Sequence, residues 1–249
     1  MAMTRIRAML ESCATGSPLF PPTLLYNEGW MLRLVLDWFS ANDVPDHRLA
    51  FPHGARWYSE ALLPSAFLAR HRGDPLAESW THADGTTGHF EIGKEGKTDL
   101  SLFPDAEHFV VLEAKLFSKL AAGVMNAKTF DQAARNVACI AEVLKRAGRE
   151  LATLSRLGFY VLAPQSQIDA GVFAVELDPS SIRKKVEERV AAYDGEKDPW
   201  YREWFEPTLE RIDIDTIGWE ELIQEIGQHD PPARESFEEF YAHCLRFAK

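Results

Sequence analysis

Residues 96–120 read GKTDLSLFPDAEHFVVLEAKLFSKL. Within them the run 109–117, FVVLEAKLF, is apolar except for Glu113 and Lys115, and a charge buried without a partner or a metal is costly. Side chains alternate along a strand, so Glu113 and Lys115 project to one face while Leu112 and Ala114 project to the other. Asp99 opens the preceding strand-like piece, and the short turn PDAE between the two pieces is expected to bring it beside Glu113. Two carboxylates converging on one point repel unless a cation lies between them, and hard oxygen ligands suit Mg²⁺ or Mn²⁺. A lysine next to such an ion stabilises charge on a phosphate or orients an attacking water, which makes phosphodiester hydrolysis the natural chemistry.

The neighbouring sequence supplies a frame for that strand. NEGWMLRLVLDWFS (27–40) reads as a largely buried helix with Asn27 as its N-cap. ARWYSEALLPSAFLAR (55–70) carries a mixed helix and strand signal interrupted by Pro64, and a loop rich in Gly, His and Asp is expected from there to about Gly88. GHFEIG, TDLSLF and HFVVLEAK, separated by the turn sequences KEGK and PDAE, then read as an antiparallel meander. Phe130, Ala134, Val137, Ala141 and Leu144 form one apolar helical stripe that ends at Gly148. LGFYVLAP (157–164) is a short, continuously apolar strand, and GVFAVEL (171–177) reads as a second candidate strand. The expected order is helix, three strands, helix, strand.

Composition narrows the class. A chain of 249 residues can bury a sizeable core. Cys13, Cys139 and Cys244 are odd in number and far apart, with no CxxC, so neither a disulfide framework nor a zinc cluster is supported and a reducing, cytoplasmic setting is expected. No run approaches the roughly 20 apolar residues of a membrane span, so no membrane partner is expected. The net charge of -11 argues at first against a polyanionic partner. Its distribution changes that: residues 187–240 hold 17 Asp/Glu against 5 Lys/Arg, while 115–149 carry 7 Lys/Arg against 2 Asp/Glu.

An acid two residues before a lysine is a weak pattern on its own, with about 1.5 occurrences due by chance. It occurs twice, as EGK at 95–97 in a polar turn and as EAK at 113–115 at a strand end. The second has context: Asp99 before it, and a helix bearing Gln132 and Asn136 after it. The pattern GKTDLSLF…FVVLEAKLFSKL…FDQAARN resembles the PD-(D/E)XK, or restriction-endonuclease-like, nuclease superfamily, whose signature is an Asp on one strand, Glu-x-Lys on the next and often a Gln opening the following helix. The resemblance covers about residues 88–163, and Thr98 stands where the motif's proline would be.

That resemblance implies an α/β fold with a mixed central sheet flanked by helices in the order α-β-β-β-α-β, over a nuclease-like domain at 1–180. Residues 181–249 are expected as a helical, acidic extension packed on the same domain. It implies a Mg²⁺ (or Mn²⁺) site of Asp99, Glu113 and the Ala114 carbonyl, with Lys115 positioning water or stabilising the transition state and Gln132 supporting it. Glu28 and Glu60 both qualify as the family's first-helix glutamate, with Glu28 favoured. The implied activity is metal-dependent cleavage of nucleic acid, DNA in preference, in restriction, repair or defence, by a homodimer or with a partner protein.

Other readings of the same residues remain open. Glu113 and Lys115 also fit a strand-end ion pair, Gln132 and Asn136 the flank of a helix, and Glu28 a partner of the helix dipole, worth about 0.3–1 kcal/mol. His53, His82 and His89 lack metal-ligand spacing. DPWYREWFEP (198–207) suits packing better than base stacking, since acids surround it. A catalytically inactive binding or structural subunit of the same fold is the alternative function, and an unrelated α/β protein carrying a coincidental motif is the third.

Overall fold

The computed structural model describes residues 2–15, 17–94, 96–123 and 126–247. Its strands in chain order are β1 (Arg56–Leu63), β2 (Thr81–Gly88), β3 (Phe90–Ile92), β4 (Leu100–Leu102), β5 (His108–Ala114), β6 (Arg156–Ala163) and β7 (Asp213–Gly218). Five of them make one mixed sheet in the order β1-β2-β5-β6-β7, and β3 pairs only with β4. β2 runs antiparallel to both β1 and β5, whereas β5, β6 and β7 are parallel. β5 and β6 are buried along nearly their whole length, as central parallel strands must be, which is why both read as continuous apolar runs.

The helices are α1 (Ala2–Ala14), α2 (Glu28–Ala41), α3 (Gln132–Ala147), α4 (Gln165–Asp169), α5 (Ala174–Leu177), α6 (Pro179–Ala191), α7 (Asp198–Trp200), α8 (Glu206–Arg211), α9 (Trp219–His229) and α10 (Pro231–Phe247). They cover both faces of the sheet. On one, Phe109, Val111, Phe159 and Val161 pack against α3, α6 and the aromatic cluster of Phe67, Trp200 and Phe205. On the other, Val110, Leu112, Tyr160 and Leu162 pack against α2, α9 and α10. The packing role of DPWYREWFEP is thereby observed. Among the described residues no helix is long and apolar enough to cross a membrane.

The local signals for the two principal helices hold. Asn27 caps α2, accepting from the Trp30 amide at 3.0 Å. Asp131 caps α3, accepting from the Ala134 amide at 3.0 Å. α3 ends where Gly148 turns left-handed at φ 60° and the Arg149 amide reaches back to the Leu144 carbonyl.

Four expectations are corrected. The segment before Gly88 is not a loop to its end but contains β2, a central strand. It escapes a β-propensity reading because α2 crosses it closely: a Cβ on Gly85 would stand 2.9 Å from a Leu32 methyl, so a small residue sits where a branched one would be typical. The three-strand meander is split, since β3 and β4 close on each other while β5 pairs with β2. GVFAVEL forms turns and α5 instead of a strand. The 181–249 segment is not wholly helical, because β7 completes the main sheet beside β6. Of the acid-x-lysine pattern at 95–97, Glu95 lies outside the described residues.

Candidate active site

The β2–β5 ladder ends at the pair Gly85–Leu112, and the next residues in register are Asp84 and Glu113. Beyond this point β5 stays paired with β6 through Ala114–Leu162, while its backbone partner on β2 is replaced by a side chain: the Ala114 amide donates to Asp84 Oδ2 at 2.8 Å. The two carboxyl groups lie within hydrogen-bonding reach of each other.

A change of face accompanies this pairing. Ser59 on β1 faces α2, accepting from Arg33 Nε at 2.7 Å, and its partner Gly85 lies under Leu32 of the same helix. Two residues away along each strand, Ala61 and Ala83 belong to the core shared with α3. A two-residue step in a regular strand keeps the face, so both strands slip by one at the intervening Glu60 and Asp84. Glu60 absorbs the slip with φ 60°, an uncommon conformation for a side-chain-bearing residue and one that recurs beside functional sites.

Glu113 is buried at 1 % exposure and has polar neighbours on every side. Lys115 Nζ donates to its Oε1 at 2.7 Å, Gln132 Nε2 donates to the same oxygen, and Asn136 Nδ2 reaches Oε2 at 3.5 Å. Burial first, and the Asp84 charge second, push the Glu113 carboxyl up to about 8 despite the lysine. Gln132 is itself pinned to the loop after β5, where its amide and side chain bond the Ala121 carbonyl and amide at 2.9 and 3.1 Å. Trp219 Nε1 donates to the Lys115 carbonyl at 2.8 Å, anchoring the end of β5 to α9.

Of the expected residues, Glu113, Ala114, Lys115 and Gln132 therefore come together, with Asn136 beside them. Asp99 does not join them. It precedes β4 and bridges to Leu62 on the outer side of β1, so β1 and β2 both separate it from β5, a span on the order of 14 Å at normal strand spacing. Its carboxylate accepts from the Gly96 amide. Glu60 stands on β1, not on a helix, and its carboxylate approaches Arg33 at 3.5 Å and His82 at 4.0 Å. Glu28 opens α2, where its charge acts on Cys244 of α10; neither it nor Glu60 is among the charges acting on Glu113.

The residue that sequence reasoning missed is Asp84. The signal for it was indirect: an acid followed by Gly-Thr-Thr-Gly, with two threonines, which favour strands. Among the described residues no group of three or more His, Cys, Asp and Glu side chains is gathered as for a metal. A cation here would be held by two carboxylates with a backbone carbonyl and water, a set that Mg²⁺ commonly accepts. Two acids in contact, one of them buried and pushed toward its neutral form, are the donor chemistry that such an ion fits. Comparison with protein-family models, with curated proteins and with solved structures finds no match for this chain.

Proposed function

We propose that this chain is a metal-dependent nuclease of the restriction-endonuclease-like kind, hydrolysing phosphodiester bonds in nucleic acid, DNA in preference. The observation that carries the reading is the meeting of Asp84 with Glu113 where β2 leaves β5, with Lys115 at 2.7 Å from the Glu113 carboxylate. The order of α2, β1, β2, β5, α3 and β6 along the chain supports it.

In this reading Asp84, Glu113 and the Ala114 carbonyl hold Mg²⁺ or Mn²⁺. The bound ion supplies charge stabilisation at the phosphate and a more acidic water. Lys115 then presents a fixed point charge toward the phosphate from the same face as Glu113. Gln132 and Asn136 orient Glu113 from α3, and groups that hold a ligand without touching the metal commonly change metal affinity by about 10–100-fold when removed. The Ala114 amide holds Asp84 in place through its own hydrogen bond.

The test is cleavage of a panel of single- and double-stranded DNA and RNA with Mg²⁺, with Mn²⁺ and with chelator. The reading expects cleavage of at least one substrate that depends on the added ion. No cleavage of any substrate under either ion rejects it.

A further inference from the structure

A hollow of about 520 Å³ is walled by Leu62, Ser79, Trp80, His82, Lys97 and Asp99. That volume falls within the roughly 300–1,000 Å³ of small-molecule sites. Its floor is the cross-strand pair Leu62–His82. His82 stands two residues from Asp84, about 7 Å along the strand. Continuing the Gly85–Leu112 register places Lys115 level with His82. Its lining comes from β1, from β2 and the residues just before it, and from the loop before β4, so the hollow lies on the β1 side of the point where β2 and β5 separate.

Its walls combine an aromatic ring with polar groups of both signs. Trp80 is half-buried and held in place, with the Arg146 guanidinium over its ring at 5.3 Å. Asp99, Ser79 and His82 bring hydrogen-bonding side chains to the same lining, and the exposed Lys97 adds a cation to it. A flat heteroaromatic ring with polar edges, attached to an anion, matches that set: the base stacks on tryptophan, its edge meets polar side chains, and its phosphate meets lysine. No base within an intact duplex stack can enter such a space.

The geometry points to a nucleobase-binding subsite: the hollow receives one unpaired base of the strand whose phosphate lies at Asp84 and Glu113, so the preferred substrate is single-stranded or locally opened nucleic acid. This rests on the nuclease reading.

The test is binding in chelator, where no cleavage occurs, of two fluorescently labelled 12-residue DNA strands. One has mixed sequence and the other has the same backbone with abasic residues throughout. The parent protein is expected to bind the mixed strand about tenfold or more tightly than the abasic one, as one stacked base allows. Trp80→Ala is expected to lose that preference while Trp80→Phe keeps most of it, so a general folding defect is distinguished from a lost stacking surface. Lys97→Ala is expected to weaken both strands alike. A Trp80→Ala protein that keeps the full preference, or a parent without one, overturns the subsite even if the protein cleaves nucleic acid. A parent that neither binds nor cleaves any strand overturns the nuclease reading together with it.

Discussion

The Ala114 amide donates to Asp84 Oδ2 at 2.8 Å, so a side chain from β2 continues a ladder that its backbone has left. This one bond explains how two acids are held close together at the end of an interior strand pair. It anchors one oxygen of Asp84 to β5, and the adjoining residue of β5 is Glu113.

Acid held against acid has a consequence for stability. The Glu113 carboxyl titrates from an ordinary 4.5 to about 8 in the folded protein. Between those values the folded chain holds a proton that the unfolded chain has released, so the metal-free protein loses stability as pH rises from about 5 to 8. The loss from this group is on the order of 5 kcal/mol. Urea unfolding of metal-free parent and Glu113→Gln at pH 5 and pH 9 measures it. The parent is expected to lose more than the variant, and equal losses contradict the assignment.

Lys115 is tied to Glu113 and only 11 % exposed in its side chain. Lys115→Ala should fold and should lose cleavage by about 10²-fold or more, because the charge acts on the transition state more than on the fold. Lys115→Arg should not restore full activity, since a planar fork does not occupy the place of a compact ammonium. Rates at saturating substrate, with circular dichroism to check folding, decide it; comparable rates for Lys115→Ala and parent remove the role.

How much of this was legible differs by element. The residues from His108 to Ala163 were readable because their periods are strong: an apolar strand, a helix with one apolar stripe between an Asp cap and a left-handed Gly, then a second apolar strand. That is why Glu113 was expected on a strand, Lys115 at its end and Gln132 at the start of the next helix, where the structure has them. β2 was hidden because it carries small and polar residues under α2 and beside β5 instead of large apolar ones. Asp99 was misplaced by the rule that consecutive strands pair. β3 and β4 are three residues each and close on themselves, bonded from Gly93 to Asp99 and from Phe103 to His89 at 2.9 and 3.1 Å. Sequence spacing alone gives no sign that the hairpin is an insertion between β2 and β5.

The acidic C-terminal segment proves partly structural. Glu220 accepts from the Tyr241 hydroxyl at 2.8 Å and from the Gln165 amide at 2.9 Å, joining α9 to α10 and to the start of α4. Glu196, Glu206 and Asp215 pair with Arg70, Arg183 and Arg48. Glu220→Ala should therefore cost about 1–3 kcal/mol in urea unfolding, the cost of leaving its donors unpaired. By contrast, Glu235, Glu238 and Glu239 are exposed on α10, and changing all three to Gln should alter nucleic-acid affinity by less than about tenfold across a salt titration. A larger gain in affinity contradicts the view that these acids lie clear of the site.

The central claim is that Asp84, and not Asp99, is the acid that works with Glu113. Metal-dependent cleavage at saturating substrate by Asp84→Asn and Asp99→Asn, measured side by side with the parent, tests it most directly. The account predicts that Asp84→Asn loses cleavage by about 10²-fold or more while Asp99→Asn stays within about tenfold of the parent. Retained cleavage in Asp84→Asn, or the opposite ranking of the two variants, contradicts it.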